Sequence, residues 1–398
     1  MPDMNPRAWH RKASKPVSIW MGVFIIVGLV HPFIPEGSWL LIHIFTLGIL
    51  TNSILLWSQT LTERFLGRKL DDATRPAQLT RTYLLNAGIV ATLIGQMLLW
   101  YWLTWVGALV VGIVVAWHAV VLAGQVRASQ RSNASVYGFV ASACCLPVGA
   151  LFGAALAAGL PGQWHAAVRQ AHMFINVGGF VGFAAMSALS ILFPAMWRTR
   201  AVDRVGVALV LAGAGVVLAV AGALLRMSVV TGIGAVVIVA GWVWLYQGFV
   251  VNALTVFADP RGRITYPALS ALCAVAWLIG GLTWYAVRLF GGSADIPTLP
   301  LLLGFAAQLL IGAMSYLMPT MMGGGPAAVK SGLRELNRGA YLRVGLFNVA
   351  LLAWLAVNNS YARIVLSFLV FGVLVAFIPL LTRAVKAQVA LIKASRRP

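Results

Sequence analysis

The six histidines are the residues of this chain best equipped for chemistry. A neutral imidazole can ligate copper or the iron of a non-covalent haem through one ring nitrogen while the other fixes the ring. Three of them fall near the same ends of apolar stretches: His31 late in a first run, His43 about a turn into the second, and His172 at the corresponding place in a later one. At 1.5 Å per residue these three are expected roughly 5–8 Å below one membrane boundary. Two facing helices that each offer one histidine at equal depth suit a b-type haem, and a third ligand would suit copper. Taken singly, each histidine fits an interhelical hydrogen bond or a wet interface as well. Taken as a pair on matched helices, His43 and His172 favour a cofactor, with His31 as a helper. His118 stands about fourteen residues into its own run, roughly 20 Å deeper, and reads as structural. His165 lies just outside the His172 run beside Arg169, and His10 is in the N-terminal tail.

Other reactive side chains are sparse. The nine acids are Asp3, Glu36, Glu63, Asp71, Asp72, Asp203, Asp259, Asp295 and Glu335, and all lie in tails, loops or span edges. A buried carboxylate is costly in lipid and marks proton-coupled transport, so their placement speaks against a proton pump. Cys144, Cys145 and Cys273 sit inside apolar runs without Cys-x-x-Cys spacing and read as small core residues. Met314, Met318, Met321 and Met322 could hold Cu(I) by thioether chemistry, but flexible core filling is the simpler reading.

The elements that must position these residues are membrane spans. The chain has 398 residues, 61% hydrophobic and 10% charged, with mean hydropathy +0.89. Soluble domains carry about 25% charged residues. Apolar runs long enough to cross ~30 Å of hydrocarbon recur throughout. They place about twelve helices near 16–35, 38–61, 79–101, 104–126, 136–160, 168–196, 204–225, 230–257, 265–288, 297–321, 341–357 and 362–383. The first is too long for a signal-peptide core and lacks a small-residue cleavage site, so it reads as a span. Of 29 basic residues, 25 fall on one side of this arrangement; only Arg169, Arg226, Arg288 and Arg363 fall on the other. The positive-inside rule then predicts both termini in the cytoplasm of a multi-pass plasma-membrane protein. Net charge of +20 thus reads as topology, with the lipid bilayer and not nucleic acid as partner.

An internal echo organises the spans. Ala188-Leu-Ser190-Ile-Leu192-Phe-Pro194-Ala-Met196 recurs as Ala313-Met-Ser315-Tyr-Leu317-Met-Pro319-Thr-Met321, giving A-x-S-x-L-x-P-x-M. Gly179 and Gly304, like Pro194 and Pro319, are 125 residues apart, and His43 and His172 are 129 apart. Each interval spans four helices. The expected fold is therefore all-α, a pseudo-threefold repeat of four-helix units at roughly 16–130, 136–260 and 265–385. Together they form one membrane domain, 16–385, between basic cytoplasmic tails 1–15 and 386–398. Asn176, Gly179 and Ser190 follow His172 on one helix face, and Gly178-x-x-x-Gly182 permits close helix approach. No histidine occurs in the third repeat's matching helix.

Twelve spans in threefold order, with histidines toward the outer ends of spans two and six, resemble the haem–copper oxidase subunit I superfamily and its NnrS-like relatives. The stretch from His43 to Ser58, with Gly48, Thr51, Asn52 and Trp57, is similar to the membrane region associated with actinobacterial multicopper oxidases and copper nitrite reductases. The resemblance implies a haem axial role for His43 and a copper role for His172. The oxidase pattern also needs two histidines on span ten and a pair after span six, which are absent, so terminal oxidase activity, and enzymatic activity generally, is not expected. The reading is an oxidase-like membrane protein binding haem b or copper through His43, His172 and His31. It would act in electron transfer, metal handling or nitric oxide and copper stress, with an extracytoplasmic copper protein or redox partner. The alternative is a cofactor-free permease or a membrane scaffold for an extracytoplasmic cuproenzyme.

Overall fold

The computed structural model describes residues 6–67, 74–131, 133–293 and 295–395. Asp3, Asp71 and Asp72 and the far ends of both basic tails lie outside them. Every regular element among the described residues is helical. In chain order these are α1 Pro6–Val30, α2 Gly37–Leu66, α3 Arg75–Met97, α4 Tyr101–Arg127, α5 Ala134–Ala157, α6 Gly162–Trp197 and α7 Val205–Leu224. There follow α8 Ser228–Ala258, α9 Tyr266–Phe290, α10 Pro300–Met322, α11 Pro326–Leu336, α12 Ala340–Ala356, α13 Ser360–Val375 and α14 Phe377–Ala394.

Eleven stretches among the described residues are long and apolar enough to cross a membrane; 326–356 and 360–394 each count as one. Their outer faces are oily, with Val120, Val210 and Val217 all at least 70% exposed. Such faces need a lipid solvent, and this is the make-up of a multi-pass membrane protein. The count is one below the twelve expected from sequence. The helix that drops out is α3, whose Arg75, Gln78, Arg81, Asn86 and Gln96 lower its apolar character. The tails also differ from expectation. Helix α1 begins at Pro6, ten residues early, because Trp9 and Ala13 pack on Leu56 and Leu79 while the Arg75 guanidinium stacks 4.8 Å over Trp9. Helix α14 likewise continues to Ala394.

The chain forms two compact units. The first comprises 1–190, 203–245 and 283–296, and the second 191–202, 246–282 and 297–398. Within the first unit, α3–α4 and α7–α8 are hairpins of the same construction, offset by 127 residues. Gly95 meets Thr104 and Gly107 meets Thr92; Gly222 meets Thr231 and Gly234 meets Ala219. A Cβ at Gly95 or Gly222 would fall 2.5 Å from the facing backbone nitrogen, so only glycine lets the helices approach this closely. Both hairpins turn through a Schellman motif. Trp100 N–H donates to Gly95 O (2.7 Å) and Met227 N–H to Gly222 O (2.8 Å). Leu99 (φ 57°) and Arg226 (φ 58°) occupy the left-handed position that glycine usually fills.

The second unit holds a packed cluster of Phe347, Leu351, Val370 and Val373, with Trp277 against it. Pro319 lies inside α10, where its ring cannot donate a backbone hydrogen bond. Gln388 of α14 donates to Pro319 O and Gly323 O, both at 2.8 Å, satisfying carbonyls at that helix's end.

Candidate functional site

Three helices widen into π-helical turns: Ile44–Thr51 in α2, Phe174–Val181 in α6 and Pro300–Ala307 in α10. Each run is eight residues with glycine fifth, at Gly48, Gly178 and Gly304. Short π segments frequently mark functional places in helices. What presses on the glycines explains their identity. A Cβ at Gly48 would fall 2.6 Å from the Trp20 indole, and one at Gly304 2.5 Å from the Trp277 indole. At Gly179 the neighbour is Cys145, with Sγ 2.7 Å from the same construction. The loosened carbonyls take side-chain donors: Asn52 to Gly48 O (2.8 Å), Ser53 to Ile49 O (2.7 Å) and Ser142 to Phe180 O (2.5 Å).

His43 is the last residue before the first π segment, and His172 stands two residues before the second. Both are half-buried. His43 Nδ1 donates to Trp39 O at 2.8 Å, and its ring stacks on Trp39 with centroids 4.0 Å apart. His172 Nδ1 donates to Gly149 O on α5 at 2.9 Å. Gly149 and Gly153 present a bare helix edge to it; a Cβ at Gly153 would lie 3.0 Å from His172 Cε1. Asn176, one turn on, donates to His172 O (2.8 Å) and reaches the ring at 3.3 Å, while its Oδ1 is buried without a hydrogen bond. The two imidazoles lie within electrostatic reach of each other.

This arrangement fixes tautomers. A carbonyl can only accept, so the Nδ1 of each ring carries the proton and Nε2 keeps its lone pair. A backbone carbonyl on the far nitrogen is the usual way proteins aim a ligating histidine. His31 has the same local bond, Nδ1 to Gly28 O at 2.8 Å, at the end of α1. Its backbone carbonyl also fills the space where Gly37 would have a side chain. Among the described residues no three His, Cys, Asp or Glu side chains gather as a metal cluster. Two imidazoles with free Nε2 are a donor set of the kind that ligates haem iron or copper.

The remaining histidines have other settings. His118 is 3% exposed and shares a 2.9 Å hydrogen bond between Nε2 and Ser58 Oγ. His165 is exposed, and the His10 side chain lies outside those the structure describes. Sequence reading overlooked two arginines by assigning them to loops. Arg81 and Arg343 lie on α3 and α12 and are 4% and 8% exposed. The Arg81 guanidinium stacks over Trp117 at 5.5 Å, close to His118, with Nη1 unbonded. Arg343 stacks 3.7 Å over Tyr266 and donates to Leu336 O at 3.0 Å.

A signal for both arginines was present. Arg81-Thr-Tyr-Leu84-Leu-Asn86 and Arg343-Val-Gly-Leu346-Phe-Asn348 share R-x-x-L-x-N. The asparagines do matching work: Trp20 Nε1 donates to Asn86 Oδ1 (2.7 Å) and Trp277 Nε1 to Asn348 Oδ1 (2.6 Å). Asn86 in turn donates to Asn52 Oδ1 at 2.8 Å. Gln308, which follows Gly304 as Asn52 follows Gly48, is 3% exposed with both amide atoms unbonded. The sequence matches no known protein-family model and no curated protein.

Proposed function

We propose that this chain is an oxidase-like membrane protein in which His43 and His172 hold one haem b as axial ligands. The observation that carries the reading is the shared setting of the two rings. Each directs Nδ1–H to a backbone carbonyl, keeps Nε2 free, stands at the head of a π segment, and lies near the other. Haem held this way would supply one-electron redox chemistry, which suits electron transfer or nitric oxide and copper stress responses. The chain's own part is orientation: Trp39 stacks on one ring, Asn176 and the bare edge at Gly149 and Gly153 hold the other. His31, fixed to its own helix end, is left as a helper. The central-helix histidines of a terminal oxidase have no counterpart between Pro300 and Met322, so oxygen reduction is not part of the proposal.

The same reading takes the chain as three related four-helix units, with α3 as the twelfth span and both termini in the cytoplasm. Its support is the recurrence of the same devices in the same chain order. Trp20, Gly48 and Asn86 reappear as Trp277, Gly304 and Asn348, and the hairpin glycines of α3–α4 reappear 127 residues on in α7–α8.

The test is the absorption spectrum and metal content of the full chain, purified in detergent from haem-replete cells. A Soret band with stoichiometric iron is expected. Protein that is folded and monodisperse but lacks both haem and copper would overturn the proposal and leave a cofactor-free permease or scaffold.

A further inference from the structure

A second site lies in the first compact unit, apart from the histidines. The start of α6, the α7–α8 turn and the end of α9 line a solvent-open surface pocket of about 160 Å³. Its polar wall consists of Gln163, Gln170, Arg226, Ser228 and Ser293. Its other wall is methyl and isobutyl groups from Ala166, Ala167, Ala223 and Leu289. Arg226 Nη1 donates to Gln163 Oε1 at 2.6 Å, and the guanidinium stacks 5.1 Å from the Trp164 ring. Both partners are neutral. The nearby carboxylate, Asp295, is engaged elsewhere, at 2.8 Å from Arg288 Nη2. Asp295 also accepts from Ser293 (3.2 Å), but it is neutralised by Arg288, so among the described residues that line the pocket no acid balances Arg226.

The fold itself does not require that arginine. The α3–α4 turn has the same Schellman bonds and the same left-handed residue, and there the position is Leu99. Holding a non-glycine residue at φ 58° costs roughly 1 kcal/mol. Both turns bear that cost, but only the second points a guanidinium into a cavity. Ser228 also opens α8, a 31-residue helix whose first N–H groups favour an anion.

We propose that this cavity binds a small organic carboxylate. The guanidinium fork takes the carboxylate oxygens, Gln170 and the hydroxyl of Ser228 complete their hydrogen bonds, and a short alkyl tail lies on the alanines and Leu289. Guanidinium and carboxylate geometries match in this way, and a bidentate pair is stronger than a neutral hydrogen bond. The alkyl wall distinguishes this ligand from inorganic phosphate, which has no apolar part to place.

Equilibrium dialysis of radiolabelled acetate, propionate and butyrate against the detergent-solubilised full chain tests the site, at constant ionic strength in chloride. Saturable one-site binding that tightens from acetate to propionate is expected, weakened at least tenfold in Arg226→Leu. That variant carries the residue the matching turn already tolerates, and its folding is checked by size-exclusion profile. If it fails to fold, Gln170→Leu and Ser228→Ala give the same reading, with weakening of at least threefold each. No saturable carboxylate binding, undiminished binding in folded Arg226→Leu, or preference for phosphate or glycerophosphate over every carboxylate would overturn the proposal.

Discussion

Replacing Gly48 by alanine probes the packing that sets the first π segment. The added Cβ would stand 2.6 Å from Trp20 Cδ2, nearer than carbon atoms approach, and the indole is a rigid ring that cannot bend aside. Trp20 is 9% exposed and tied to Asn86 by its Nε1–H, so it must move as a whole. Overpacking costs about 1–3 kcal/mol. If the shift breaks the Trp20–Asn86 bond, an unsatisfied amide adds about 1–3 kcal/mol more. The expected loss is thus about 2–6 kcal/mol, read as a lowered midpoint in SDS-induced unfolding of the detergent-solubilised chain. Trp20→Leu in the same background should restore part of that loss, giving a double-mutant coupling above about 1 kcal/mol. Gly304→Ala, against Trp277, should behave alike. Additive effects in the Gly48–Trp20 cycle, or a Gly48→Ala loss under about 0.5 kcal/mol, would refute the reasoning.

Other perturbations separate structural from functional groups. Ser58→Ala strands the buried His118 Nε2 and should cost about 1–3 kcal/mol in unfolding, with no change in any haem spectrum. Arg81→Met and Arg343→Met should differ: the first removes a buried guanidinium with an unbonded Nη1 and should be neutral or stabilising in SDS unfolding. The second guanidinium also has unbonded nitrogens, Nε and Nη2, but its removal loses the bond to Leu336 O and the 3.7 Å stack on Tyr266 and should lower stability by about 1–3 kcal/mol. Gly153→Leu fills the edge that faces His172 and should perturb the spectrum of a bound haem, whereas Gly345→Leu, with nothing within 4 Å, should not.

Much of the architecture is visible in the sequence because lipid enforces it. An apolar run of the right length must be a helix, and every helix from α1 to α13 except α11 answers to a span expected from such runs. The start of α3 is less legible: the expected span opens at 79, whereas the helix begins at Arg75, because the polar residues there serve protein contacts and mimic a loop in composition. The same mimicry hid Arg81 and Arg343, whose charges were counted as topology signals although tryptophan and tyrosine rings cover them. The π segments were not legible: Gly48, Gly179 and Gly304 stood out in the sequence, but the rings that press on them come from distant helices. For the site, residue type located His43 and His172. The carbonyls of Trp39 and Gly149 that orient them are backbone atoms, which sequence pattern does not reveal.

The central claim is that one haem lies between His43 and His172, and its most direct measurement is the Soret band of the purified chain and of two variants. Wild type should show the band of a low-spin, two-histidine haem. His43→Ala and His172→Ala should each abolish it or shift it to a high-spin form, and His118→Ala should leave it unchanged. An unaltered low-spin Soret band in both His43→Ala and His172→Ala would contradict the assignment.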